Sequence, residues 1–142
     1  MLKLRKNKKG FTLVELIVVI AIMAVLAGTV AGVTVSQLNK QSDKTTENQA
    51  KTIANSILQY IIENENENDD IVLDGATDVP EKIKTELKTN YASVSIKYDA
   101  EETEKGDIYV KITNGKIVVG YHKKSGNTTA DVATINAEGV LE

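Results

Sequence analysis

The sequence predicts an α+β protein in which a long N-terminal α-helix packs on a small antiparallel β-sheet of three to four strands. Two observations predict the helix: an apolar run over residues 11–35, and apolar side chains at helical spacing from there to residue 62. A third predicts the sheet, because alternating segments rich in Val and Ile follow residue 92, and Asn114-Gly115 joins two of them. A sheet of this size cannot bury a core alone, so the helix is its expected cover.

Residues 11–35 have the length and composition of a transmembrane helix. Apart from Glu15 and three threonines, every residue in the run is apolar or glycine. As a helix it would be about 37 Å long, enough to cross a hydrocarbon core of about 30 Å. The run is preceded by five cations, Lys3, Arg5, Lys6, Lys8 and Lys9. By the positive-inside bias, these place the N-terminus in the cytoplasm.

Three other interpretations of this run are weaker. A secretory signal peptide would have an apolar region of about 7–15 residues that ends in an A-x-A-like site, and this run is longer and lacks one. A plain single-pass anchor gives no reason for Glu15, since a lone carboxylate in such a segment is costly and needs a partner. A buried helix of a soluble protein is disfavoured because the rest of the chain is too small to wrap it.

Residues 36–62 continue as the amphipathic half of the helix. Polar side chains such as Asp43, Lys44 and Glu47 are placed on its solvent side. The apolar side chains recur at spacings of three and four: Leu38, Ala50, Ile53, Ala54, Ile57, Leu58, Ile61 and Ile62. The first part of this stretch is thin in apolar residues, which fits a helix that packs against other subunits. The C-terminal part, with its Ile-rich stripe, is expected to pack on the remaining domain, residues 63–142.

An acidic connector, residues 63–79, follows the helix. Its alternating Glu and Asn residues end the helix by like-charge repulsion and by competition for backbone hydrogen bonds. Carboxylates and amides suit calcium, but the spacing does not match an EF-hand, so both a cation-binding loop and a solvated connector stay open. Pro80, preceded by Asp78 and Val79 near the cap, predicts a short helix that runs to about Thr89.

Three strands and one weak strand are predicted after this short helix. They are Ser93–Tyr98, Asp107–Thr113, Lys116–His122 and, more weakly, Val132–Ile135. Asn114-Gly115 is the dipeptide of a type I′ turn, so it predicts a hairpin between the second and third strands.

No catalytic site, metal site or cofactor is expected from the composition. The chain has no cysteine and one histidine, His122, which is predicted to lie at the surface, and it has no phosphate loop or nucleophile elbow. Residues 1–10 hold five of the 17 cations and no acid, which leaves 12 Lys and Arg against 20 Asp and Glu. Residues 11–142 are too acidic to be expected to bind nucleic acid directly.

The segment KKGFTLVELIVVIAI, residues 8–22, resembles the class III signal of type IV pilins and type II pseudopilins. The resemblance is close over about the first 30 residues and covers the rest in architecture only. It implies the type IV pilin fold and a prepilin peptidase that removes residues 1–10 as a leader. Cleavage then falls between Gly10 and Phe11, Phe11 becomes N-methylated, and Glu15 takes the family's acidic fifth mature position.

Glu15 is the expected assembly residue. After cleavage it lies one turn from the Phe11 amine, where the helix macrodipole favours negative charge. The amine of a neighbouring subunit could complete its neutralisation in a low-dielectric setting and fix an axial offset between helices. The alternatives are a carboxylate that snorkels to the interface or one that is protonated by its apolar surroundings.

Gly28 and Gly32 are candidate sites of helix flexibility. The family often has proline at the position of Gly32, and glycine weakens a helix interior by roughly 1 kcal/mol relative to alanine. The alternative is that these small residues let helices approach closely, as in a G-xxx-G face.

The resemblance implies a structural subunit that forms a helical homopolymer. Its implied partners are the prepilin peptidase, a platform protein, assembly ATPases and, before assembly, the membrane; afterwards it would lie at the cell surface. The alternatives are a pseudopilin of type II secretion or DNA uptake, a minor pilin, and an uncleaved tethered binding domain. Minor pilins can lack the acid that Glu15 provides, and the absence of cysteine is more typical of Gram-positive pilins.

Overall fold

The computed structural model describes residues 10–64, 71–73, 75–100, 103–136 and 138–141. It contains two helices, α1 (Leu13–Asn64) and α2 (Glu81–Asn90). Its four strands are β1 (Ile96–Tyr98), β2 (Ile108–Thr113), β3 (Lys116–His122) and β4 (Thr129–Ile135). The chain divides into two compact units, Met1–Gln37 and Leu38–Glu142. The predicted α+β arrangement, a long N-terminal helix packed on a small sheet, is confirmed.

The part of α1 in the first unit is a bare apolar helix. Residues 10–37 are all exposed, including Phe11, Leu13 and Leu26. Among the described residues, α1 is the one helix long and apolar enough to cross a membrane. Its 52 residues continue through the apolar run into the amphipathic half without a break.

The part of α1 in the second unit packs on the sheet through one stripe. Its largest buried side chains are Ile53, Ile57 and Ile61, at helical spacings of four. They join a core that includes Ile83 and Leu87 of α2. The strands contribute Ile108, Val110, Ile117, Val119, Tyr121, Ala133 and Ile135 to the same core.

Three predictions about this half of α1 are wrong. Leu38 and Ile62, assigned to the apolar stripe, are 60% and 50% exposed because they lie off the face that meets the sheet. Asp43, assigned to the solvent side, is buried. Its carboxylate accepts hydrogen bonds from the backbone N–H groups of Lys124 and Ser125, at 2.5 and 3.1 Å, and this compensates for its burial.

The sheet has the order β1-β2-β3-β4, but it is mixed rather than antiparallel. β1 pairs with β2 in parallel, with Ile96 opposite Ile108 and Tyr98 opposite Val110. The N–H of Ile108 bonds the carbonyl of Ser95 at 3.1 Å. The prediction of a wholly antiparallel sheet is therefore wrong for its shortest strand.

Asp99 gives the physical reason for the parallel pairing. It has a positive φ of 52°, which redirects the chain at the end of β1. Its carboxylate accepts the backbone N–H of Val79 at 2.9 Å and pairs with the Lys84 ammonium at 3.2 Å. The end of β1 is thereby tied to α2, and the chain returns to begin β2 beside the start of β1 instead of folding back as a hairpin.

The hairpin between β2 and β3 is confirmed. Asn114 and Gly115 have positive φ of 55° and 71°, as a type I′ turn requires, and Thr113 pairs with Lys116. β4 is longer than the predicted Val132–Ile135, and its register with β3 shifts at a bulge between Val119 and Gly120. The extra residue at the bulge is Val132, where the predicted strand begins, and the three residues before it, Thr129–Asp131, were not predicted to be strand.

Candidate assembly site

Gly10 and Phe11, the residues that flank the predicted cleavage point, are both exposed. Phe11 is 93% exposed, and a Cβ placed on Gly10 would meet no atom within 4 Å. Nothing among the described residues therefore requires glycine at this position. A requirement for glycine would come from a molecule that recognises the chain, as the predicted peptidase would.

Thr12 and Glu15 form a reciprocal cap at the start of α1. The backbone N–H of Thr12 donates to Glu15 Oε2 at 2.8 Å, and the backbone N–H of Glu15 donates to Thr12 Oγ1 at 3.3 Å. This is a capping box, which satisfies two N–H groups that the first turn of a helix leaves without partners. The spacing Thr-x-x-Glu ahead of an apolar run would have predicted it, but sequence reasoning assigned Glu15 to assembly alone.

The remaining polar side chains of the apolar run are also satisfied within the helix. Thr29 Oγ1 donates to the carbonyl of Leu26 at 3.0 Å, and Thr34 Oγ1 donates to the carbonyl of Val30 at 2.8 Å. Hydrogen bonds that stay within one segment are what a hydrocarbon environment demands, because no water is present to replace them. Thr29 and Thr34 can therefore sit in lipid without an unsatisfied hydroxyl.

Gly28 and Gly32 lie one turn apart within continuous α-helix. A Cβ on either glycine would meet no atom within 4 Å. The chain itself thus gives no packing reason for glycine here. Both interpretations, a weak point of the helix and a close-contact face for another helix, stay predictions.

Several sequence predictions fall outside the described residues. The five leader cations lie at residues 1–9, and most of the acidic run lies at residues 65–70. The cation-binding interpretation of the connector is therefore left as a prediction. No group of three or more His, Cys, Asp and Glu side chains comes together within the described parts of the chain.

His122 is half-buried rather than at the surface as predicted. Its Nδ1 lies 2.6 Å from the carbonyl oxygen of Thr103. Its Nε2 is buried and has no hydrogen-bond partner among the described residues. The ring therefore packs between the end of β3 and the segment before β2 that contains Thr103. Sequence alone does not reveal this contact.

One comparison with known proteins matches the segment that includes the start of α1. Residues 5–31 match the family model described as the prokaryotic N-terminal methylation motif. This is the class III prepilin signal of type IV pilins and pseudopilins, and it contains Gly10, Phe11, Thr12 and Glu15. No curated protein matches the chain, and no solved structure matches it. The motif and the apolar helix are consistent with membrane anchoring before assembly.

Proposed function

We propose that this chain, which carries the prokaryotic N-terminal methylation motif, is a structural subunit of a type IV pilus. The observation that carries the proposal is the position of the motif on the fold. Its cleavage point is exposed, its acidic residue lies in the first turn of α1, and the helix that follows is apolar and uncovered. Each of these features suits a chain that is cut, held in a membrane and then packed against copies of itself.

The chain would act in three steps. The prepilin peptidase cuts between Gly10 and Phe11 and methylates the new amine of Phe11, while residues 11–35 hold the subunit in the membrane with its N-terminus in the cytoplasm. A platform protein and assembly ATPases then transfer the subunit into the filament. There the Phe11 amine of one subunit approaches Glu15 of another, and residues 63–142 are displayed at the cell surface.

Glu15 can take part in this pairing without leaving its cap. The Thr12 N–H occupies only Oε2 among the described contacts, and a carboxylate has further acceptor sites on both oxygens. A neighbouring amine can therefore approach Oε1. In a low-dielectric filament interior, two opposite charges attract far more strongly than in water.

Intact mass of the surface-exposed protein tests the proposal. A mass that corresponds to residues 11–142 plus one methyl group is expected. The matched variant Gly10→Val, measured in the membrane fraction, should retain residues 1–10, because no contact in the fold depends on Gly10 and only recognition would be affected. A wild-type chain that retains its first ten residues would exclude the proposed role.

Electron microscopy of sheared surface material then identifies the type of filament. Long filaments built from this chain support the pilus subunit. Short, stub-like assemblies would favour a pseudopilin of secretion or DNA uptake instead. Trace amounts within filaments of another subunit would indicate a minor pilin.

A further inference from the structure

The strand β1 forms one edge of the sheet, whose order is β1-β2-β3-β4. Its hydrogen bonds to β2 come from alternate residues, as in any parallel ladder. The Ser95 carbonyl accepts an N–H of β2 at 3.1 Å, and the Asp99 N–H donates to a carbonyl of β2 at 3.0 Å. Ser95, Lys97 and Asp99 thus face β2, so the backbone N–H and C=O groups of Ile96 and Tyr98 point away from it.

The outward-facing backbone groups of β1 are unpaired. Within the described parts of the chain, the N–H and C=O groups of Ile96 and Tyr98 form no hydrogen bond to another backbone group. An unpaired row of such groups at the edge of a sheet is a template for a further strand. The edge therefore offers the donors and acceptors of two residues to an extended chain that lies beside it.

A groove of about 270 Å³ lies between β1 and the C-terminal end of α2. Its lining includes Leu87 of α2, Tyr91 and Val94 of the connection, and Ile96 and Tyr98 of β1. All of these except Leu87 are half-buried, so they leave apolar surface open to solvent. Successive side chains of a strand point to opposite faces of its sheet. A chain on the β1 edge would therefore direct every second side chain into this groove.

The charges at this edge are positive. Lys97, the middle residue of β1, is exposed, and its side chain lies on the face of the sheet opposite the groove. Lys88 Nζ lies at the groove, 5.8 Å from the centre of the Tyr98 ring. Among the described residues, neither lysine pairs with a carboxylate, and Asp99 is paired with Lys84. Two unpaired cations at one edge depart from the acidic balance of residues 11–142.

We propose that β1 and the groove beside it bind an extended segment of a partner protein in which apolar residues alternate with acidic ones. The segment would add a strand to the sheet through the free backbone groups of Ile96 and Tyr98. Its apolar side chains would enter the groove, and its acidic side chains, on the other face, would lie beside Lys97. The inference goes beyond the proposed function, because this site lies on residues 63–142 and needs no filament.

A second copy of this chain fits the β1 edge less well than an acidic partner. Antiparallel pairing of two β1 strands about their middle residue would place Lys97 opposite Lys97, and like charges directly opposite each other destabilise a sheet. The other edge strand, β4, has a single acid, Asp131, whose carboxylate already accepts the Tyr109 hydroxyl. Neither edge strand of a second copy therefore supplies the acidic side chains that this edge would attract.

Two blocked peptides of about eight residues, within the usual length of a strand, test the inference. One alternates valine with glutamate, and the other alternates valine with lysine. Each is added to the full chain dispersed in detergent, and amide hydrogen exchange is followed by NMR. The glutamate peptide should slow exchange at Ile96 and Tyr98 by about tenfold or more, because their N–H groups become hydrogen-bonded. Exchange at Asp99, which already bonds β2, should change less.

Methylated peptides test whether the contact is a strand pairing. Backbone N–H groups are replaced by N–CH₃ either at all the valines or at all the glutamates. Alternate residues of a strand direct their N–H groups to opposite sides, so only one of the two sets can bond β1. Methylation of that set should abolish binding, and methylation of the other set should be tolerated. Binding that tolerates both modifications would contradict strand addition.

A charge reversal tests the role of Lys97. Lys97→Glu should weaken binding of the glutamate peptide by about threefold or more, since an exposed ion pair is replaced by a repulsion. The same variant should bind the lysine peptide more tightly than the wild type does. Lys40→Glu, at an exposed position of α1, changes the net charge equally and should bind like the wild type.

Four results of the exchange experiment would overturn the inference and leave the proposed pilus subunit untouched. The first is no slowing at Ile96 and Tyr98 with the glutamate peptide, and the second is equal slowing with both peptides. Slow exchange before any peptide is added would mean that the chain already covers its own edge. Slowing that appears when the protein concentration is raised, without peptide, would assign the edge to a second copy.

Discussion

Tyr109 on β2 and Asp131 on β4 are joined by a hydrogen bond that crosses the strand between them. The Tyr109 hydroxyl donates to the Asp131 carboxylate over Gly120 of β3, which has no side chain to obstruct it. Burial, reinforced by the neighbouring Asp131 carboxylate, raises the pKa of Tyr109 well above its usual range, so the hydroxyl stays a donor at any physiological pH. One side chain thus links three strands on the face that α1 does not cover.

Gly120→Ala should destabilise the domain by about 1–3 kcal/mol, the usual cost of overpacking. A Cβ at this position would lie 2.3 Å from the Tyr109 hydroxyl and 2.5 Å from the backbone oxygen of Ala130, and the latter cannot rotate away. Thermal unfolding of detergent-dispersed protein, followed by tyrosine circular dichroism, measures the change. Gly126→Ala is the matched control, since its Cβ would meet nothing closer than 3.8 Å. Equal stability of the two variants would exclude the close approach.

Asp43 should make the domain sensitive to acid. Burial by itself would raise the pKa of Asp43, but hydrogen bonds from Ser125 and from the Lys124 N–H outweigh this effect and lower the pKa below its usual value. The stabilisation is therefore fully present above about pH 4, the unfolded value, and is lost as the pH falls through the lower folded pKa.

Asp43→Asn tests this linkage. It should cost about 1–3 kcal/mol at neutral pH, because charged hydrogen bonds become neutral ones, and the difference from wild type should shrink below about pH 4. Urea unfolding across pH gives both values. Glu47→Gln, which alters an exposed pair on the same helix, should have a smaller effect. A constant difference between Asp43→Asn and wild type from neutral to acidic pH would contradict the assignment.

Two substitutions at Glu15 separate its cap from its charge. Glu15→Gln keeps a side chain that can complete the capping box with Thr12, whereas Glu15→Ala removes both cap and charge. If Glu15 pairs with the Phe11 amine of a neighbour, both variants should be cleaved normally and both should lose most filament assembly. Immunoblots of sheared filaments and of cell-associated protein measure the two steps.

If Glu15→Gln gives a normal filament yield and Glu15→Ala does not, Glu15 acts only as a helix cap and its charge is not needed for assembly. Thr12→Val provides the complementary control. It removes the hydroxyl that accepts the Glu15 N–H but keeps the carboxylate and the backbone donor of Thr12. We therefore expect Thr12→Val to assemble better than either Glu15 variant.

The features that sequence predicted best are those decided by neighbouring residues. β3 and its hairpin follow from Asn114-Gly115, whose positive φ angles are set by local sterics. The methylation motif likewise depends on contiguous residues and was recognised in the sequence.

The features that sequence missed depend on contacts between distant residues. Asp43 meets Lys124 and Ser125 more than 80 positions away, so its burial has no local signal. The parallel pairing of β1 depends on Asp99 reaching Val79 and Lys84 near α2. The cap between Thr12 and Glu15 is the exception, because its spacing was visible and its intrahelical role was overlooked.

The hydrogen bonds of Thr12, Glu15, Thr29 and Thr34 have a consequence for how the helix can travel. Each of these side chains has its hydrogen-bond partner three or four residues away on its own helix. The polar groups of the segment therefore need no partner from outside it. Moving it from lipid to the interior of a protein breaks none of these bonds. The exchange is then governed by packing and by the charge of Glu15, and a subunit that returned to the bilayer would keep every one of these hydrogen bonds.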